Sequence, residues 1–298
     1  MRAIKPEIVK PGKPTILLSG PPKTHKSRLA LQFRRPYFVD CEAGSTQPHY
    51  MADLVKSGGV YMGQAQGSQS FSNVIEEVRW LQTNKHDYQT FVLDSLSYIS
   101  NLGYATEEAR MLDEGKQITF GSNKKPTMRQ IRRLFALLKN LDMTKIIICH
   151  AKDKWEGEGN DRKVTGTTFD GWDKLEYELD LWCESRRVGK DGIMAVRASR
   201  YQQLPIGLDV PMNYAAFAKI YGQDIIEKPS VPIVRVEIGL AAKIKNVSDM
   251  LITAKKISED EMEKWLLKDG AQEIEDLAQD RAEKLLDFLD KKLKGESK

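Results

Sequence analysis

Ile16-Leu17-Leu18-Ser19-Gly20-Pro21-Pro22-Lys23-Thr24-His25-Lys26-Ser27 is an apolar strand that runs into a turn of small residues, followed by a Lys-Ser pair that opens a helix. Gly20, Lys26 and Ser27 keep the spacing of G-x-x-x-x-G-K-[ST]. In that phosphate-binding loop, backbone N–H groups cradle the phosphates, the Lys reaches the β and γ oxygens, and the hydroxyl holds Mg²⁺. The second glycine of the pattern is His25 here. A Cβ at that point costs free energy if the backbone must take a positive φ, although His tolerates such angles better than most residues. The expected ATP-binding segment is therefore Gly20, Pro21, Pro22, Lys23, Thr24, His25, Lys26, Ser27 and Arg28. The plain alternative is a surface turn containing Lys-Ser, and the rest of the chain decides between them.

On either side of this turn, strand patterns alternate with helical ones, which predicts an α/β fold with a mainly parallel central sheet and helices on both faces. After a helix over Ser27 to Phe33, Tyr37-Phe38-Val39 forms a second apolar run that ends in Asp40-Cys41-Glu42. Acids at the carboxyl end of a strand lie where α/β sheets place their sites. Asp40 has a plainer reading as a cap on the segment that follows. Phe71, Val74, Ile75, Val78 and Leu81 keep helical spacing, and the strand Thr90-Phe91-Val92-Leu93 then delivers Asp94. An apolar strand ending in Asp, two strand–helix units after a phosphate-binding loop, is the Walker B pattern, whose carboxylate orders Mg²⁺. Ser27 and Asp94 are thus the expected metal-side residues.

A polar segment over 113–126, with Lys116, Lys124 and Lys125, leads into a helix whose Met128, Ile131, Leu134, Phe135, Leu138 and Leu141 form the buried stripe. Arg129, Arg132 and Arg133 sit near its start, where cations oppose the helix dipole, and a ligand phosphate would explain them. Lys145 to His150 is another buried strand, with His150 as its polar end. The glycine-rich stretch from Ala151 to Asp170 reads as a mobile loop with a hairpin in its second half, and Leu179–Glu184 and Ile193–Arg197 as strands around a turn at 189–192. Ile233 to Ile238 reads as a last strand.

The chain has 298 residues and 41% apolar content, enough for one large domain and a small appendage. No run approaches the roughly 18 uninterrupted apolar residues that a membrane span needs, and residues 1–12 are too polar for a secretory signal, so the expectation is a soluble, cytoplasmic protein. Cys41, Cys149 and Cys183 lie far apart in or beside apolar runs, as reduced core residues do. Net charge is +4, but residues 246–298 carry 10 Lys and Arg against 14 Asp and Glu, which leaves residues 1–245 at +8. A basic body with an acidic tail permits a polyanion ligand. In that tail Ser258-Glu259-Asp260-Glu261 is a capping box, opening a helix that Gly270 closes; a second helix carries Ile274, Leu277, Leu285, Phe288 and Leu289.

This order of motifs resembles the RecA-like ATPases, with an N-terminal extension over 1–13, a RecA-like core over 14–245 and a helical tail over 246–298. Phe38-Val39-Asp40-Cys41-Glu42 matches the family segment whose acid activates water, which points to Glu42. The strand ending at His150 is similar to the one that ends in the family's γ-phosphate sensor. The resemblance puts the DNA-facing loops on 113–126 and 152–169. It suggests Lys116, Lys124, Lys125, Arg162 and Lys163 as phosphate contacts, with Trp155 or Phe120 for base stacking. Arg197 and Arg200 fall where related motors carry cations that reach a neighbour's nucleotide.

Within that family the compact bacteriophage proteins that anneal single strands look closest. The resemblance implies ATP and Mg²⁺ as cofactors, single-stranded DNA as partner and self-association into a ring or filament. A single-stranded-DNA-binding protein is a further expected partner, and a phage-infected bacterial cell the expected setting. A ring helicase or its loader, and an assembly protein that binds ATP without hydrolysing it, remain open alternatives.

Overall fold

The computed structural model describes residues 11–119, 121–157, 161–269 and 271–295. Phe120, Gly270 and most of the N-terminal extension lie outside the described residues. The first elements are β1 (Thr15–Gly20), α1 (Lys26–Leu31), β2 (Pro36–Asp40), α2 (Pro48–Ser57), β3 (Val60–Met62), α3 (Phe71–Thr83), β4 (Thr90–Asp94), α4 (Leu96–Asp113) and α5 (Lys125–Lys139). Then come β5 (Thr144–Glu156), β6 (Lys163–Phe169), β7 (Leu181–Val188), β8 (Asp191–Ser199), β9 (Asp209–Pro211), α6 (Tyr214–Tyr221) and α7 (Gln223–Ile226). The chain ends with α8 (Ile238–Thr253), α9 (Glu259–Lys268) and α10 (Gln279–Lys294). Two compact units divide it: Met1–Met62, Asp87–Ser97 and Met143–Pro229 form the first, and Gly63–His86, Tyr98–Asp142 and Ser230–Lys298 the second.

The first unit holds the whole sheet, in the order β3-β2-β4-β5-β1-β7-β8-β9, with β6 paired to β5 alone. From β3 to β7 the pairs are parallel; β7, β8 and β9 are antiparallel. Continuous apolar strands such as Phe91-Val92-Leu93 and Ile146-Ile147-Ile148 suit this arrangement, because a parallel sheet is buried on both faces. Ile16, Leu18, Phe38, Val92 and Ile146 point into one core with Leu29 and Ala30 of α1 and Phe217 and Ala218 of α6. The alternate residues Leu17, Val39, Leu93 and Ile147 are equally buried. Cys41, Cys149 and Cys183 are buried and not joined in disulfides. Burial pushes the Cys149 and Cys183 thiols up to about 12, and Cys41 higher still.

β5 runs past His150 to Glu156 and pairs with β6 in register from Ala151–Phe169 to Glu156–Lys163. The stretch expected as a loop with a late hairpin is therefore a two-stranded ribbon over most of its length, exposed at both strands. Between 204 and 232, where sequence patterns are weak, the chain forms β9, α6 and α7.

In the second unit, α8, α9 and α10 bury Ile244, Leu251, Met262, Leu266, Leu285 and Leu289 together. The expected border at residue 245 falls inside α8, so three helices, not two, build this core. The capping box at α9 forms: Ser258 Oγ accepts from the Glu261 N–H at 3.2 Å, and Glu261 Oε2 from the Ser258 N–H at 2.9 Å. Ile274 lies in a 3-10 turn before α10.

The strand expected over Ile233–Ile238 does not form. Pro232 has no N–H to give, the Ile233 N–H donates to Gln82 O at 2.7 Å, the Val236 N–H donates to Leu277 O at 3.0 Å, and Ile238 opens α8. For Arg129 and Arg133 of α5, acids of the chain itself stand where a phosphate was expected. Arg133 reaches Asp276 at 2.8 and 3.2 Å, Arg79 reaches the same carboxylate at 3.3 Å, and Arg129 reaches Glu273 at 3.3 Å. Arg235 donates to the Asp276 carbonyl and to the Gln82 side chain.

The Asp276 side chain is fully buried, so removing it strands guanidinium charge in a desolvated place. Asp276→Ala should destabilise the second unit by about 3–5 kcal/mol, read as a lower urea midpoint, and Asp276→Asn should lose less.

Candidate active site

β1 lies between β5 and β7, and the turn that leaves its carboxyl end is shaped by two close approaches. Gly20 has φ 146°, and a Cβ there would lie 2.2 Å from Ser185 Oγ and 2.6 Å from Ser185 O on β7, so only glycine fits. Thr24 Oγ1 lies 2.6 Å from Ser185 Oγ and donates to Pro21 O at 2.8 Å. His25 takes the left-handed conformation, φ 68° and ψ 22°, immediately before α1. This is the angle for which the motif's second glycine is suited, and the histidine adopts it. Its Nε2 accepts from Arg187 Nη2 at 3.2 Å, which orients the ring. Lys23 is also left-handed, at φ 61°.

Lys26 is buried, and its Nζ donates to Gly20 O at 2.9 Å and Pro21 O at 2.7 Å. Burial lowers its pKa, while the charges of Asp94 and Glu42 act the other way. The ammonium thus folds back on the loop that would receive phosphate, where anionic oxygens are better partners than two carbonyls. Arg28, one turn along α1, faces Asp53 at 4.0 Å.

Ser27 Oγ donates to Asp94 Oδ2 at 2.5 Å, so the two expected metal-side residues, far apart in sequence, meet. Asp94 is buried, and desolvation pushes its carboxyl up to about 7 even though Ser27 donates to it. A divalent cation beside it would favour the carboxylate. One buried carboxylate and one hydroxyl fit Mg²⁺ that arrives with phosphate oxygens and keeps its waters, and not a fully protein-bound ion. Among the described residues no cluster of three or more His, Cys, Asp or Glu could hold a metal.

Asp40 proves to be a cap. Its Oδ1 accepts from the Glu42 N–H at 3.1 Å, and Oδ2 accepts from the Ser45 N–H at 2.9 Å and the Tyr61 hydroxyl at 3.0 Å. The loop it ties down presents Glu42. Glu42 Oε1 accepts from His150 Nε2 at 2.7 Å and from Ser95 Oγ, and among the described residues Oε2 has no hydrogen-bond partner. The hydrogen bond from His150 holds the Glu42 carboxyl below its ordinary range against the effect of burial, and the bond to Glu42 raises the His150 imidazole. His150 sits opposite Gly20 in the β1–β5 register, which brings the sensor candidate to the loop.

Arg197, in β8, and Arg200, just after it, are held by groups of this same chain. Arg197 binds Glu184 at 2.5 and 2.7 Å; Arg200 binds Asp180 at 3.3 Å and Tyr177 O at 2.9 Å. The nucleic-acid candidates fall in two groups. Trp155 and Lys163 belong to the β5–β6 ribbon in the first unit, and Arg162 directly precedes β6 with its guanidinium 5.8 Å from the Trp155 ring centre. Lys116, Lys124 and Lys125 belong to the second unit. Lys116 pairs with Glu114 at 2.6 Å, Lys124 lies over Tyr104 at 5.6 Å, and Lys124 and Lys125 border a cavity of about 890 Å³ whose lining includes Glu259, Asp260 and Glu263.

Sequence reasoning passed over Ser95, Ser185 and Arg187. Ser95 could have been found as the residue after the Walker B Asp. Ser185 and Arg187 carry no local signal, since only the β1–β7 register brings them to the loop.

A phosphate-cradling turn, a lysine folded into it, a Ser–Asp pair for a cation and a carboxylate held beside them define a P-loop nucleotide-binding site. The AAA domain family AAA_24 matches residues 12–202, more than half of the chain, and the chain belongs to that family. Among solved structures, the RadB recombinase is similar to this chain, with a TM-score of 0.40 and 15% identity, covering 67% of this chain and 87% of that one. No curated protein matches. No helix among the described residues is long and apolar enough to cross a membrane.

The Glu42–His150 pair has a definite pH signature. Because the folded imidazole is raised, its contribution to stability is present below its ordinary 6.5 and is lost as pH rises through the raised value. Because Glu42 is lowered, its contribution is present above its ordinary 4.5 and is lost as pH falls through the lowered value. An NMR titration of His150 should show a midpoint above 6.5 that moves back down in Glu42→Gln.

Proposed function

We propose that this chain is an ATP-dependent protein that binds single-stranded DNA in phage-type homologous recombination or strand annealing and hydrolyses ATP where subunits meet. The observation that carries the reading is Glu42, whose Oε1 is held by His150 and Ser95 and whose Oε2 has no hydrogen-bond partner among the described residues, beside the P-loop lysine whose charge it influences. A carboxylate fixed by one oxygen and open at the other suits a base that orients and deprotonates water. Lys26 would neutralise the β- and γ-phosphate oxygens, while Ser27 and Asp94 hold Mg²⁺; catalysis is then placement and charge neutralisation.

Arg197 and Arg200, the candidates for action on a neighbouring subunit, make turnover depend on assembly into a ring or filament in this reading. The β5–β6 ribbon supports the DNA side: Trp155 is half-exposed with Arg162 at its ring and Lys163 at the start of β6, a stacking surface with cations beside it, while Lys152 and Lys154 of β5 stand near Asp170 and Glu156. Lys116, Lys124 and Lys125 are further proposed phosphate contacts, and a single-stranded-DNA-binding protein a proposed partner. His25 already holds the left-handed angle that the loop requires, which favours a competent nucleotide site over one disabled by the missing glycine.

ATP turnover by the purified protein, with and without single-stranded DNA, tests this. DNA should stimulate turnover, Lys26→Ala should abolish it, and Glu42→Gln should lower it by about 10²–10⁴-fold with nucleotide binding kept. Absence of turnover with ATP and DNA binding intact would overturn hydrolysis and leave an assembly protein.

Replacing Lys116, Lys124, Lys125, Arg162 and Lys163 by Ala should weaken DNA binding and flatten its dependence on salt, by close to one unit of slope for each phosphate that is no longer neutralised. An unchanged slope would remove these residues from the DNA path.

A further inference from the structure

Glu184 is buried in the middle of β7, opposite Ser19 of β1 and Ala195 of β8. A buried carboxylate must be paired, and this one is paired in two directions. Oε1 accepts from Thr167 Oγ1 at 2.8 Å. Oε2 accepts from Arg186 at 2.8 and 3.1 Å and from Arg197 at 2.5 and 2.7 Å. Thr167 is an exposed residue of β6, set opposite Asp153 in the ribbon, and among the described residues its hydroxyl is the hydrogen bond from β6 to this carboxylate. Two guanidinium groups share one carboxylate oxygen, so a shift of the carboxylate is felt by both arginines. Burial works against ionisation of Glu184, but hydrogen bonds from Arg186 and Thr167 and the charges of Arg197 and Arg186 keep its carboxyl below the ordinary range.

We propose that Glu184 is a positioning residue that couples the β5–β6 ribbon to Arg197: a polyanion seated on the ribbon shifts Thr167, the carboxylate follows, and the presentation of Arg197 to nucleotide changes. The inference rests on the DNA-stimulated ATPase reading above and names the route by which the ribbon speaks to the arginine. Arg186 follows the same carboxylate. The Thr167 bond sets the orientation of Glu184, while the two arginine bonds transmit it.

Thr167→Val tests the route with little risk to folding, since it keeps a β-branched side chain on an exposed strand position and removes only the hydroxyl. Its ratio of DNA-stimulated to basal turnover should fall roughly fivefold or more, with DNA affinity by fluorescence anisotropy unchanged. Thr167→Ser, which restores a hydroxyl, should recover the ratio. Glu184→Gln should lower the ratio too, and adding Thr167→Val to it should cost nothing further, because both act through one contact. A wild-type ratio in Thr167→Val, or additive effects in the double variant, would overturn the coupling and leave the ATPase reading standing. No stimulation of the wild-type protein by DNA would instead overturn the ATPase reading, and the coupling with it.

Discussion

The missing Cβ at Gly20 is the constraint on which the site depends. With a side chain there, β7 could not lie against the end of β1, because Ser185 Oγ and its carbonyl already occupy that space. With the glycine, β7 pairs with β1 from Ile16–Leu181 to Ser19–Glu184, and the residues just beyond that register reach the phosphate turn: the Ser185 hydroxyl on Thr24 and the Arg187 guanidinium on His25. On the other flank, β5 delivers His150 opposite the same glycine. One atom left out of one residue thus sets the neighbours of the whole loop.

The fold was legible wherever local pattern and tertiary role agreed. Apolar strands ending in Asp40, Asp94 and His150 read as buried parallel strands, and the sheet uses them so, because a strand covered on both faces needs no alternation to announce itself. The capping box at Ser258 was legible because a cap is a four-residue affair. Legibility failed where the deciding partner was distant. The arginines of α5 pointed to an external anion only because Asp276 and Glu273, more than a hundred residues later, were not visible as neighbours. Ile233–Ile238 has strand-like composition, but its N–H groups find carbonyls outside any ladder, and composition says nothing about that.

The site divides in the same way. Lys26, Ser27, Asp94 and Glu42 were found by motif and come together in space, since the motifs describe strand ends that a parallel sheet aligns. Of the residues that hold them, Asp40 and His150 were named from the sequence, but not the contacts they make. Asp40 had to be seen with its three hydrogen bonds before its capping role could be told from a catalytic one, and Ser95 had to be seen under Glu42. The acidic tail has a comparable history: read as charge alone it marked a separate appendage, whereas Glu273 and Asp276 serve the arginines of α3 and α5.

The three thiols bear on how the molecule can be studied. Each is buried, and each is pushed far above the range in which a thiolate forms at neutral pH, so none competes for a maleimide or an iodoacetamide. A cysteine introduced at an exposed position such as Val188 or Ile206 would therefore be the reactive thiol among four, and the natural chain can carry a single fluorophore or spin label without first being stripped of its own sulfur.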